Sequence, residues 1–127
     1  PGVAIPALTP DLAVFPAAKA DRQGNVWIGG RRELMVMAHA ARDTLVTVEE
    51  IVDGDLMADP VTKAGTIPGL YVTAVAEAKE GSWPQGLPAT DLVPDHGHLA
   101  RYAEMAKTEE GFAAYLAEFV SGREAAE

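Results

Sequence analysis

The polar run Asp21-Arg22-Gln23-Gly24-Asn25 is the densest group of functional side chains in the chain, and it directly follows an apolar stretch. Ligands of open α/β sheets gather beyond strand ends, so this run is a reasonable place for a binding site. A tight turn explains the same residues, with Gly24 and Asn25 supplying positive φ and Asp21 bonding its own backbone. Glu49 and Glu50 close a second apolar stretch, where one carboxylate could act as base or nucleophile. Neighbours on a strand face opposite ways, so the two cannot form a paired-carboxylate site; one turns inward to a partner and the other to water.

Asp95, His96 and His98 are ligand types that suit zinc, yet a solvated loop accounts for two histidines spaced two apart. Asp53, Asp55 and Asp59 share only acidity with a calcium loop, whose glycine and terminal-glutamate spacing is missing. Gly29-Gly30 ahead of Arg31 and Arg32 suggests an anion cradle at a helix start, but neither phosphate-loop pattern is present and a strand-to-helix turn is the better reading. No nucleophile-elbow sequence occurs. Bottom-up, no complete active site is legible and no metal site is assigned.

The elements that would position these groups follow from periodicity. Pro1–Pro10 carries three prolines and favours extended backbone. Asp11–Phe15 reads as a buried strand, with Pro16 marking an edge or a bend. Val26–Ile28 resumes extended structure until Gly29-Gly30. From Arg31 to Asp43 the apolar spacing is helical, with Leu34, Met37, Ala38 and Ala41 on one face. Thr44–Val48 is β-branched and reads as a strand that Glu49 and Glu50 end. An irregular or short helical stretch follows through Asp59 and Pro60, then the Pro68-Gly69 turn. Leu70–Ala78 is ambiguous, and a strand is expected in its first half only. Gly81–Pro94 is a breaker-rich connection. Two amphipathic helices follow: His98–Lys107, presenting Leu99, Tyr102, Ala103 and Ala106, and a second capped by Thr108, presenting Phe112, Tyr115, Leu116, Phe119 and Val120. Gly122 is expected to end the second helix. The pattern indicates an α/β architecture with a partly parallel sheet of three or four strands.

Composition narrows the function classes. The chain has 127 residues, 48% hydrophobic and 23% charged, as expected of one globular domain. Its 19 acidic and 10 basic residues leave a net charge of −9, which disfavours nucleic acid and anionic membrane as partners. With no cysteine there is no disulfide or thiolate chemistry. No apolar run approaches the roughly 20 residues of a membrane span, and no secretory pattern opens the chain, so a cytoplasmic protein is expected. A start at Pro1 without Met reads as a segment of a longer polypeptide.

Three stretches in order, Ala20–Val26, Leu45–Val52 and Ile67–Val72 ahead of Gly81 and Trp83-Pro84, resemble the C-terminal half of the α subunit of family I CoA-transferases, the group that includes glutaconate and 3-oxoacid CoA-transferases. The resemblance covers most of Pro6 to Pro84. It implies a partial CoA-transferase-like open sheet with helices and a C-terminal helical pair. It implies a companion β subunit, or second half, that supplies a nucleophilic glutamate. It also implies acyl-CoA and carboxylic acid as substrates, with coenzyme A as a substrate and no permanently bound cofactor. None of this chain's glutamates takes the nucleophile's role, and the glycine-rich motif belongs to the N-terminal half, so the chain alone is catalytically incomplete. On this reading Gln23, Gly24 and Asn25 approach the substrate, and Glu49 is a structural carboxylate behind it. Trp83-Pro84 departs from the His-Pro common in the family. A CoA-thioester hydrolase branch and a non-catalytic binding or scaffold domain are the alternatives.

Overall fold

In the computed structural model, which describes residues 2–121, the chain forms two compact units. The first comprises residues 2–82 with 87–92 and carries a five-stranded mixed sheet; the second comprises residues 83–86 and 93–121 and is helical.

The first unit is built around β1 (Leu12–Asp21) and β3 (Asp43–Val52), which pair in parallel along their whole lengths. Alternation explains their placement. Ala13, Phe15 and Ala17 of β1 and Thr44, Val46 and Val48 of β3 are buried, while Leu12, Val14 and Leu45 point to the opposite, exposed face. The buried face receives α1 (Arg32–Ala40) through Leu34 and Ala38. Met37, expected on that face, is 40% exposed, because the inward stripe of so short a helix is only two residues wide. The helix stops earlier than its apolar spacing suggests: Ala41 is already extended and Asp43 enters the ladder with β1.

β2 (Val26–Trp27) runs antiparallel beside the end of β1, and β4 (Thr66–Ile67) runs antiparallel beside β2. β5 (Ala74–Glu77) runs parallel to β3, which gives the order β4-β2-β1-β3-β5. A short helix, α2 (Pro60–Lys63), is capped by Asp59 and precedes β4.

One expectation is narrowed and three are corrected. Pro16 lies in mid-strand rather than at a bend, and the edge expected of it is local: over Leu12–Ala18 β1 has a paired strand on one side only among the described residues, a setting that tolerates a missing N–H. Glu49 and Glu50 do not end β3, since pairing with Lys19–Asp21 carries the strand on to Val52. The strand within Leu70–Ala78 occupies the second half, because Gly69–Tyr71 forms a 3-10 turn that consumes the first. The sheet has five strands rather than three or four, β4 being too short to register as periodicity.

In the second unit α3 (His96–Met105) pairs with α4 (Glu109–Phe119). α3 begins two residues before the expected His98, because the Asp95 side chain accepts from His98 N and caps the helix. Thr108 caps α4 as expected, its hydroxyl accepting from Gly111 N. Between the helices His98 Nε2 lies 2.7 Å from Tyr115 Oη, and Arg101 Nη2 donates to both carboxylate oxygens of Glu118 at 2.9 Å. Gly122 lies outside the described residues.

The buried Thr44 hydroxyl has no hydrogen-bond partner among the described residues. Val has the same shape without the polar atom, so Thr44→Val is expected to raise unfolding free energy by about 1 kcal/mol in chemical denaturation. A destabilised Thr44→Val would mean that the hydroxyl is satisfied.

Candidate functional site

The polar run after β1 folds around one carboxylate. Asp21 is 3% exposed, and both its oxygens accept hydrogen bonds. Oδ1 accepts from Gln23 N and Asn25 N, each at 3.0 Å, while Oδ2 accepts from Asn25 Nδ2 at 2.8 Å and from Leu56 N at 3.0 Å. Burial pushes the carboxyl pKa up, but the hydrogen bonds from the Asn25 side chain and from the Leu56, Asn25 and Gln23 amides outweigh it and hold the group below the ordinary aspartate value.

The turn then reaches across to a distant part of the chain. Asn25 Oδ1 accepts from Gly69 N at 2.8 Å, over a separation of 44 residues. Gly69 has to be glycine here, since a Cβ would stand 2.5 Å from the Gln23 carbonyl oxygen. Gly24 adopts φ +83°, the left-handed conformation the turn demands. Asn25, expected to share that conformation, does not, and contributes its side-chain amide instead.

Between this turn and the chain entering β5 lies an open cleft of about 450 Å³. Gln23 and Gly24 stand on its wall with Asp21, Arg22 and Ile51, facing Gly69 and Val72–Val75. Asn25 is not on the wall but behind it, tying Asp21 to Gly69. With its amide nitrogen turned inward, Gln23 donates to Asp21 Oδ1 and to the Gly54 carbonyl. Arg22 donates through Nε to Asp53 Oδ1 at 2.6 Å, which raises the guanidinium pKa above its ordinary value.

Glu49 is not brought to this cleft. Its Oε2 accepts from Glu80 N at 2.7 Å, and it borders separate hollows with Thr90 and Asp91. Glu49 is half-buried and Glu50 exposed, the opposite facing expected of strand neighbours. The other polar candidates have local explanations. Asp95 caps α3, and His98 meets Tyr115 and stacks on Trp83. The His98 amide bond, with lesser help from the Trp83 side chain, keeps the Asp95 pKa below the ordinary aspartate value. His39 packs on Tyr71 with ring centroids 3.9 Å apart. The Arg22–Asp53 pair and the Gly69–Val75 wall escaped the sequence reading. The one signal for the wall was the Pro68-Gly69 turn, whose glycine needs no Cβ because Gln23 and Gly24 press against it.

The family described as Coenzyme A transferase matches residues 1–78. The chain belongs to the coenzyme A transferase family. It is 37% identical over 121 residues to one subunit of the glutaconate CoA-transferase of Acidaminococcus fermentans, covering 93% of this chain and 37% of that protein. It is 35% identical over 127 residues to one subunit of the 3-oxoadipate CoA-transferase of Pseudomonas knackmussii, covering 94% of this chain and 41% of that protein. Among solved structures, the glutaconate CoA-transferase of Acidaminococcus fermentans superposes with a TM-score of 0.73 at 31% identity, covering 87% of this chain and 34% of that one. A variant of the decarboxylase AibA/AibB superposes with a TM-score of 0.76 at 32% identity, covering 91% and 41%. The chain therefore spans about two-fifths or less of the relatives it matches. The sequence resemblance and the open mixed α/β sheet agree with the family. The described residues contain no helix long and apolar enough to cross a membrane.

In Asp21→Asn the side-chain NH2 would face converging N–H donors, so a loss of about 2–3 kcal/mol at neutral pH is expected. Because the folded-state pKa is depressed, the carboxylate's contribution is complete above the unfolded value of about 3.9 and disappears as pH falls through the folded value. Urea midpoints of both proteins at pH 7 and pH 2 check this. A gap that stays the same size in acid would show that the charge is not its source.

Proposed function

We propose that this chain is the C-terminal segment of the α subunit of a cytoplasmic CoA-transferase that moves CoA between an acyl-CoA and a carboxylic acid. The observation that carries the reading is the family match over residues 1–78, which includes the whole turn and both walls of the cleft. Two of the relatives are each a single subunit of a CoA-transferase, which supports a companion chain here, and the companion would supply the nucleophilic glutamate. That carboxylate attacks the thioester carbonyl and CoA leaves as thiolate, giving an acyl-glutamyl anhydride. The thiolate then attacks the glutamyl carbonyl, forming the enzyme thioester and releasing the first acid. The acceptor acid reverses the sequence and leaves as the new acyl-CoA. No step requires a resident cofactor.

The chain's part in this scheme is to form one wall for the substrates. Gln23 and Gly24 would contact them, Asn25 would set the wall's position from behind, and Glu49 would act structurally through the Glu80 amide.

A second reading follows from the decarboxylase among the structural neighbours: the same scaffold supporting a decarboxylation in place of CoA transfer. The full-length subunit with its companion, given acyl-CoA with and without an acceptor acid, separates the possibilities. Transfer requires the acceptor; CoA release without one indicates hydrolysis, and carbon dioxide release with the thioester intact indicates decarboxylation. In the same complex Asn25→Ala is expected to lower kcat/KM of transfer about tenfold to hundredfold by displacing the wall, without dissociating the subunits. Unchanged kinetics would remove Asn25 from the site's support.

A further inference from the structure

A net charge of −9 repels anionic ligands in general, so an anionic group entering the cleft needs a local cation. Arg22 is the one cationic side chain on the cleft wall among the described residues. The second charged group on that wall, Asp21, is buried and has both oxygens occupied by N–H donors. Arg22 is held in place rather than free: Asp53 takes its Nε at 2.6 Å. That contact leaves the two Nη groups without a partner among the described residues. The Arg22 side chain is 71% exposed, so the pair contributes little to stability, as exposed ion pairs do. Its geometric effect is larger, because it limits the swing of a long side chain and leaves the Nη donors free for an oxyanion.

We infer that Arg22 is a specificity-determining residue whose free guanidinium edge receives an oxyanion of the substrate pair, either a carboxylate remote from the reacting centre or a phosphate of coenzyme A. The inference rests on the transferase reading above and adds a selectivity to it. Acids with a second carboxylate are preferred in the first case, and CoA over its truncated forms in the second. Arg22 touches no reacting atom, so its effect falls on KM and not on kcat.

The test uses the full-length subunit with its companion, as wild type, Arg22→Gln and Asp53→Asn. KM and kcat are measured for a monocarboxylic acceptor, a dicarboxylic acceptor of similar length, and acyl donors built on CoA and on dephospho-CoA. Loss of one charge-assisted contact is expected to raise KM about tenfold or more in Arg22→Gln, with kcat nearly unchanged. A rise confined to the dicarboxylic acceptor identifies the carboxylate, and one confined to the CoA donor identifies the phosphate. Asp53→Asn keeps the guanidinium and retains the selectivity. Equal KM changes for all four compounds, no change at all, or Asp53→Asn reproducing Arg22→Gln would overturn the inference while leaving the transferase reading intact. A wild-type complex that transfers CoA to no acid would instead remove the reading and the inference together.

Discussion

The cleft depends on the burial of the Asp21 carboxylate. An ionised group 3% exposed is costly unless its lone pairs are met, and here four N–H donors, joined by the Gln23 side-chain amide, meet them. Two donors come from the backbone of the turn itself, one from the Asn25 side chain and one from Leu56, 35 residues further on. One charge therefore folds the turn after β1 and anchors the loop after β3. Through Asn25 it also places Gly69 against Gln23 and Gly24. Removing it would unfasten three segments at once.

This arrangement explains why the turn's polar residues divide their tasks. Asp21 and Asn25 are committed to structure, each with its side-chain polar atoms engaged by the protein. Gln23 stands on the wall with its amide nitrogen tied to Asp21 and Gly54, Gly24 lies beside it, and Arg22 keeps a guanidinium edge unengaged. A rigid frame supporting a few exposed groups is what positioning demands, because displacements near 1 Å are costly in catalysis. The exposed face of the parallel strands, with Leu12 at 49% and Val14 at 59%, accords with a chain spanning two-fifths or less of its relatives, since parallel sheets are ordinarily covered on both faces.

Much of the fold was legible as periodicity. β1, β3, α1 and the α3–α4 pair announce themselves through alternation or helical spacing, and the Asp21 and Thr108 contacts follow from what those side chains do locally. β4 and β5 were not legible. Two residues carry no period, and Ala74–Glu77 resembles helix as much as strand until it pairs with Leu45–Val48. Glu49 and Glu50 looked like a strand end because charge ordinarily marks one, yet their strand continues opposite Lys19–Asp21.

The amino-acid sequence by itself determined the α/β class, the family, and the turn around which the cleft forms, because these depend on local pattern and on residue types in order. Only the tertiary structure decided which turn residue faces the cleft and which stands behind it. It also brought Gly69 and Val72–Val75 opposite that turn, paired Arg22 with Asp53, and turned Glu49 to the Glu80 amide. Those relations join residues about 30 to 50 positions apart. They are set by strand register and by the need to satisfy a buried charge, and neither is expressed in local spacing.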